Sequence, residues 1–286
     1  MSHAGARIGS QVGLLAPAAS ALTVLLAAPL LLVSNESLRV YVPGYVGARA
    51  DAPFTAQHYL DLIGTAYLGY FADTFRIGVI AALLGLAVGY LIAYRVARET
   101  APRRRRAWIG FLVAMLFLSI LVRVYAAALT FGPSGFGRSL SALLGVGLNS
   151  REYAEFTVIL GLLHCLIPMA AIALVGPLQN LNPRLVEAAQ ALGAPRWKAH
   201  ATVTLPLSAR GALSAFMLCF SFAISAFVIP LVLGKGRVLF VSNLIYSRFG
   251  EVGNYPAGAA MAIALLLLSL GFVYTVSRAA SYRWEP

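Results

Sequence analysis

The sequence predicts an all-α integral membrane protein with six transmembrane helices. Hydrophobic residues make up 60% of the 286 positions and charged residues only 11%, whereas soluble domains carry about 25% charged residues. A soluble globule of this length could not bury so much apolar surface. Six apolar stretches approach or exceed the roughly 20 residues that a helix needs to cross the hydrocarbon layer. None of them alternates with the period of two that a membrane barrel requires.

The six predicted spans cover residues 12–33, 77–94, 108–131, 156–175, 211–233 and 257–276. Each should be helical, because a spanning backbone must satisfy its own hydrogen bonds. The first stretch could instead be a signal peptide, since Arg7 precedes it and small residues lie at Ala27 and Ala28. We favour a retained span, because the apolar run continues past these alanines to Val33. Residues 1–286 are therefore expected to form a single transmembrane domain.

The net charge of +12 is distributed unevenly over the predicted loops. With the N-terminus on the cytoplasmic side, 13 of the 22 Lys and Arg residues lie in inside loops and 7 in outside loops. The four consecutive arginines at 103–106 form the strongest cluster. The positive-inside rule therefore places both termini and the loop 176–210 in the cytoplasm. We attribute the basic excess to contact with anionic membrane lipid, and not to nucleic-acid binding.

The predicted inside loop 176–210 is too long for a simple turn and should contain short helices. Asn182 can cap a first helix, Gly193 breaks it, and Pro195 can begin a second. Pro206 is expected to end the segment before the fifth span.

Small and aromatic side chains in this loop are typical of a surface that meets another protein. Ala188 and Ala189 permit close approach, and Trp197 resembles the aromatic anchors that dominate many interfaces. The alternative is a helix lying on the membrane surface with Trp197 at the lipid headgroups. Taken alone, these residues leave both interpretations open.

Residues 187–206 resemble the signature loop of permease subunits from binding-protein-dependent ATP-binding-cassette importers. That family pattern is Glu-Ala-Ala, three residues, Gly, nine residues, Ile, one residue, Leu-Pro. The matching positions are Glu187, Ala188, Ala189, Gly193, Leu205 and Pro206. Val203 stands where the family has Ile. Three further stretches, at residues 121–133, 243–246 and 255–260, are similar to the spermidine/putrescine branch of the family.

The resemblance implies a type I importer permease fold in the bacterial inner membrane. The implied partners are two ATP-binding subunits, a second permease of different sequence and an extracytoplasmic substrate-binding protein. The chain would bind no cofactor or metal itself, because ATP acts through the partner subunits. The residues implied in coupling to the ATPase are Glu187, Ala188, Ala189, Gly193, Trp197, Leu205 and Pro206. The implied substrate is a polyamine, with iron, phosphonates and opine-like solutes as alternatives.

No catalytic pattern was found in the sequence, so we expect no enzymatic activity of its own. Gly234-Lys235-Gly236 is not a phosphate loop, because Ile229 and Gly236 stand where that motif requires Gly and Ser or Thr. A stand-alone secondary carrier is the alternative from another class. It would need inverted repeats and more ionisable residues inside the spans, and the sequence has neither.

Arg123 is the charged residue that falls within a predicted span, where a charge costs about 2.5–3.5 kcal/mol. It could line a pathway or subunit interface together with Tyr125, or its side chain could snorkel to the outer surface. His164 is expected to make a polar contact between helices. No Asp or Glu lies inside any predicted span, so the sequence predicts no deep cation site in this chain.

Overall fold

The computed structural model describes residues 3–49 and 51–282, which form thirteen α-helices and no strand. The helices are α1 His3–Ser37, α2 Gln57–Leu62, α3 Thr65–Ala97, α4 Pro102–Phe117, α5 Ile120–Thr130, α6 Gly137–Leu143, α7 Arg151–Gln179, α8 Arg184–Ala191, α9 Arg196–Ala199, α10 Leu205–Ser225, α11 Val228–Leu233, α12 Val241–Tyr246 and α13 Tyr255–Tyr282. Two π-helical turns lie at His200–Thr204 and Ser247–Glu251. The all-α prediction is confirmed for this part of the chain.

Five helical segments in the described ranges are long and apolar enough to cross a membrane. They are Ser20–Ser37, Tyr67–Ala97, Arg151–Gln179, Arg196–Ser225 and Tyr255–Ala280. The pair α4 and α5 makes a sixth span when the two helices are counted together. The predicted location of both chain termini concerns residues 1–2 and 283–286, which lie outside the described residues.

The chain divides into two compact units, and the prediction of a single domain therefore stays a prediction. The smaller unit comprises Met1–Thr65 and Ile245–Leu267, and the larger comprises Ala66–Leu244 and Leu268–Pro286. Within the smaller unit, the hydroxyl oxygens of Ser37 and Tyr59 lie 2.7 Å apart, which ties the end of α1 to α2.

In the larger unit, α3 and α7 pack side by side and run in the same direction. Arg76 donates to Glu155 at 2.6 Å, 79 residues along the chain, and Arg98 donates to the carbonyl of Leu181 at 3.2 Å, 83 residues along. Such a nearly constant separation requires parallel helices. Residues that follow α3, including arginines 103–106, therefore lie at the same end of this helix pair as the segment that follows α7.

Close packing in the middle of this pair depends on glycine. A Cβ on Gly89 would lie 2.7 Å from the Cβ of Ala170 and 3.0 Å from the backbone nitrogen of Ala171. A Cβ on Gly85 would lie 2.7 Å from the Cβ of Leu166. The spacing of Gly85 and Gly89 is the Gly-x-x-x-Gly pattern that lets membrane helices approach closely.

The third predicted span, 108–131, is wrong as one continuous helix. Helix α4 ends at Phe117 and α5 begins at Ile120, and their axes are bent by 87°. Leu118 and Ser119 between them have extended backbones, with ψ of 133° and 131°. The break leaves backbone carbonyls without helical partners, and the guanidinium of Arg123 binds two of them, on Leu116 and Leu118.

The fifth predicted span, 211–233, is also interrupted. Helix α10 ends at Ser225, and the short α11 follows after an extended Ala226 with ψ of 126°. The carbonyls freed here accept hydrogen bonds from Ser242 to Ala226 at 2.7 Å and from Asn243 to Phe227 at 2.9 Å. These donors lie 16 residues further along the chain. The local sequence also predicts a kink here, because Pro230 lacks the amide that would donate to the carbonyl of Ala226 in a continuous helix.

Candidate functional site

The segment between α7 and α10 forms two short helices joined by a sharp bend. Helix α8 begins after Asn182, whose side-chain oxygen accepts a hydrogen bond from the amide of Arg184 at 3.0 Å. This confirms the predicted cap. Val186 and Ala199 are the buried residues of α8 and α9. The two helices pack on one another and on the π-helical turn that follows α9.

Gly193 forms the bend, as predicted, because its φ of +88° lies in the left-handed region that favours glycine. Its amide donates to the carbonyl of Gln190 at 2.9 Å, and the amide of Ala194 donates to Ala189 at 3.1 Å. These bonds terminate α8 in the usual manner of a glycine-ended helix. Among the described residues, and apart from Gly193 and its two chain neighbours, no atom lies within 4 Å of the position where a Cβ on Gly193 would stand, so the requirement for glycine is one of backbone conformation.

The prediction that Pro206 ends the segment is wrong. The chain is helical without interruption from Arg196 to Ser225, and Pro206 lies in the first turn of α10. Proline lacks the amide hydrogen that a continuous α-helix would use at this position. The π-helical turn His200–Thr204 absorbs the mismatch, with the amide of Leu205 donating to the carbonyl of His200. The second short helix is therefore directly continuous with a candidate membrane span.

The residues implied in coupling present their side chains outward. Trp197 is 72% exposed and Leu192, beside the bend, is 90% exposed. Glu187 and Ala188 are also exposed, whereas Ala189 is half-buried. The structure brings these residues together on α8, the bend and α9, a unit that we call the coupling knob (residues 184–199). Leu205 and Pro206 are exposed but lie beyond it, in the first turn of α10.

Polar side chains near the end of α3 contact the residues that directly follow the coupling knob, and the sequence interpretation missed them. The hydroxyl of Tyr94 lies 3.2 Å from Nε2 of His200, and the two rings meet edge to face at 4.6 Å between centroids. Nδ1 of His200 lies 3.2 Å from the hydroxyl of Thr204. The hydroxyls of Tyr90 and Ser208 lie 3.1 Å apart. A sequence signal existed, because Tyr90, Tyr94 and Arg98 recur every four residues at the end of an apolar run.

Arg123 and Tyr125, the other predicted candidates, lie apart from the knob on α5. Arg123 is 8% exposed, so the alternative that its side chain snorkels outward is wrong. It donates to the sulfur of Cys165 at 3.1 Å in addition to the carbonyls at the end of α4. Arg123 and His164 line a cavity of about 280 Å³. Tyr125 is 59% exposed, and a pathway or interface role for this pair stays a prediction.

Four charged side chains form a closed ion-pair cluster at the opposite end of α3 and α7. Arg76 lies 3.3 Å from Asp73 and 2.6 Å from Glu155, and Arg151 lies 2.5 Å from Asp73 and 3.2 Å from Glu155. Each carboxylate is thus engaged by two arginines. The sequence did not predict that these four residues meet.

Known proteins are similar to this chain in sequence and in fold. The spermidine/putrescine transport system permease protein PotB of Haemophilus influenzae is 28% identical over 79% of this chain and 80% of the relative. Its Escherichia coli K12 counterpart is 27% identical over 75% and 78%, respectively. A crystal structure of a bacterial ABC transporter involved in import of the acidic polysaccharide alginate contains a chain that matches with a TM-score of 0.74. The match covers 96% of each chain at 16% identity.

A match to a protein-family model agrees with these similarities and with the family that the signature loop resembles. The structural likeness shows that this chain has the fold of a chain of that transporter, and together with the family match it confirms the predicted importer permease fold. Residues 107–284, more than half of the chain, match a family described as "Binding-protein-dependent transport system inner membrane component". This protein therefore belongs to the family of inner membrane components of binding-protein-dependent transport systems.

Proposed function

We propose that this chain is one of two permease subunits in an ATP-driven importer of polyamines such as spermidine and putrescine. The observation that carries the substrate assignment is the similarity to two PotB permeases over at least three quarters of the chain. The distribution of charge supports a pathway that does not hold the cation tightly. Asp73 and Glu155 are each neutralised by two arginines, and no acidic residue lies between Glu155 and Glu187.

Selection of a polycation therefore rests with other components in this proposal. An extracytoplasmic binding protein recognises and delivers the substrate, and the second permease supplies the other wall of the pathway. A site inside the membrane that bound the substrate tightly in every state would slow its release. It would also give no driving force for movement, because the affinity would not differ between the states.

ATP acts on this chain through the coupling knob. The knob seats in a cleft of a separate ATP-binding subunit, with Trp197 as its aromatic anchor and Ala188 on the surface of closest approach. Glu187 is placed in the first turn of α8, where the helix macrodipole favours a carboxylate. Leu205 and Pro206 begin the membrane helix that moves with the knob. Closure of the ATP-binding subunits then switches the spans between inward-facing and outward-facing states.

The orientation of the chain in the membrane follows from the distribution of its positive charge. Arginines 103–106 and the coupling knob share one end of the parallel pair α3 and α7, and the positive-inside rule assigns that end to the cytoplasm. The ion-pair cluster of Asp73, Arg76, Arg151 and Glu155 then lies on the extracytoplasmic side. In this arrangement the ATP-binding subunits and the binding protein meet opposite ends of the same two helices.

The test is transport by purified components in proteoliposomes. Tagged chain should co-purify with an ATP-binding subunit and a second permease, and the complex should import labelled spermidine only with internal ATP and external binding protein. Trp197→Ala should reduce recovery of the ATP-binding subunit, whereas Tyr274→Phe, at an exposed aromatic outside the knob, should not. Accumulation of spermidine by this chain alone, driven by an ion gradient, would contradict the proposal.

A further inference from the structure

The end of α3 contacts the residues on both sides of the coupling knob. Arg98, just past the last turn of α3, donates to the carbonyl of Leu181, where the chain leaves α7 for the knob. Tyr94 meets His200, where the chain leaves the knob. Tyr90 meets Ser208 in the first turn of α10. Three side chains spaced four residues apart, two on α3 and one directly after it, thus contact the residues that precede and follow the coupling knob.

Both ring nitrogens of His200 are engaged, so the orientation of this ring is fixed. Nε2 faces the hydroxyl of Tyr94 and Nδ1 faces the hydroxyl of Thr204, each at 3.2 Å. Thr204 is buried, at 2% exposure. His200 and Thr204 are the first and last residues of the π-helical turn, so the turn sets the distance between them. Such turns recur at functional sites.

We infer that α3 receives the movement of the coupling knob through Tyr94 and His200, which act as positioning residues. The inference rests on the proposed coupling function and adds the element that the knob moves. Helix α10 is the obvious recipient because it is continuous with α9. The contacts of Tyr90, Tyr94 and Arg98 make α3 a second recipient of the movement, although Tyr94 precedes His200 by 106 residues in the chain.

The rest of α3 is suited to carry that movement onward. Its middle is packed against α7 at Gly85 and Gly89, with no room for a methyl group. Its far end is bound to α7 through the ion-pair cluster. A displacement applied at Tyr94 therefore moves α3 and α7 together and reaches the cluster at the opposite end, because a close-packed interface transmits strain.

The experiment measures the number of ATP molecules hydrolysed for each substrate imported by the reconstituted transporter. His200→Leu removes both hydrogen bonds, His200→Gln retains an amide that can bond to Tyr94, and Tyr94→Phe keeps the ring contact but loses the hydroxyl. We expect His200→Leu to raise the ATP cost of each import event about 30-fold, roughly the factor for two lost hydrogen bonds of about 1 kcal/mol each. His200→Gln and Tyr94→Phe should lie between His200→Leu and the parent protein. Tyr274→Phe, an exposed tyrosine on α13, serves as the matched control and should not change the ratio.

A second readout keeps the inference testable if a variant assembles poorly. Gly69→Cys places a thiol on an exposed, uncrowded position near the other end of α3, while the native Cys165 and Cys219 are buried. ATP binding should change the labelling rate at position 69 in the parent complex and much less in the His200→Leu complex. Unchanged ATP cost with unchanged labelling response in His200→Leu would overturn the inference. Failure of the parent complex to import with ATP would instead overturn the proposed function.

Discussion

Substitution of Gly193 separates a backbone requirement of the coupling knob from a steric one. The residue has a φ of +88°, and no atom of the described part of the chain, apart from its two sequence neighbours, lies within 4 Å of a Cβ built there. Placing a non-glycine residue in this left-handed region costs about 1–2 kcal/mol. That cost lowers the population of the bent knob by a factor of about 5 to 30. Asparagine tolerates the region best among other residues, and a β-branched residue such as valine tolerates it least.

The assay is substrate-stimulated ATP hydrolysis by the assembled transporter, with insertion and assembly checked by co-purification. We expect activity to fall in the order Gly, Asn, Ala, Val at position 193. Gly176→Ala is the control, because Gly176 also has no atom within 4 Å of a built Cβ but lies inside α7 with ordinary helical backbone. Alanine there should be neutral or slightly stabilising.

The order of activity among the Gly193 variants distinguishes a steric cause of impairment from a backbone cause. If the ATP-binding subunit presses against the bend, the larger asparagine should impair activity more than alanine does. If backbone conformation is the cause, alanine should impair it more. A Gly193→Val transporter with the activity of the parent protein would refute the argument that the left-handed bend is needed for coupling.

Three further predictions concern packing, the bent span and orientation. Gly89→Ala should destabilise the protein by about 1–3 kcal/mol and lower its melting temperature in detergent, because the added methyl group meets the Cβ of Ala170 at 2.7 Å. Gly271→Ala should not lower the melting temperature, because a Cβ built at Gly271 meets no neighbour within 4 Å among the described residues. Arg123→Leu should lower the melting temperature more than Arg123→Lys, because lysine keeps the charge but not the planar fork that serves two carbonyls and a sulfur; equal melting temperatures would contradict this role. A cysteine at Pro195 should resist an impermeant thiol reagent added outside intact cells, and labelling from outside would invert the proposed orientation.

The long helices were predictable from the sequence because their signal is local. Residues 156–175 fall inside α7 and residues 257–276 inside α13, since a run of apolar side chains is itself the physical reason for a membrane helix. The bend at Gly193 was predictable for a similar reason. Glycine at the end of a helix predicts a left-handed backbone conformation at its own position.

The break in the third span was not predictable, because no proline or glycine marks it, whereas Pro230 marks the interruption of the fifth span. Neither Leu118 nor Ala226 is a helix-breaking residue. The freed carbonyls at these breaks are satisfied by Arg123 and by Ser242 and Asn243, respectively. Arg123 was correctly identified as an unusual residue, but its charge suggested a pathway or the membrane surface. Its donors instead serve the chain's own backbone, which is a contact that spacing along the sequence cannot reveal.

The contacts along α3 differ in kind from end to end, and the difference bears on coupling. Ion pairs as exposed as those of Arg76 and Arg151 contribute little stability, typically below about 1 kcal/mol each, so the cluster orients helix ends more than it holds them together. Close packing at Gly85 and Gly89 makes the middle of the pair stiff, since neither glycine leaves space for rearrangement. At the other end, Tyr94 and His200 form a directional contact that depends on the position of the knob. In the proposed mechanism, a movement that begins at α9 therefore reaches the contact between Tyr94 and His200 first, the close-packed middle of α3 next and the exposed ion-pair cluster last.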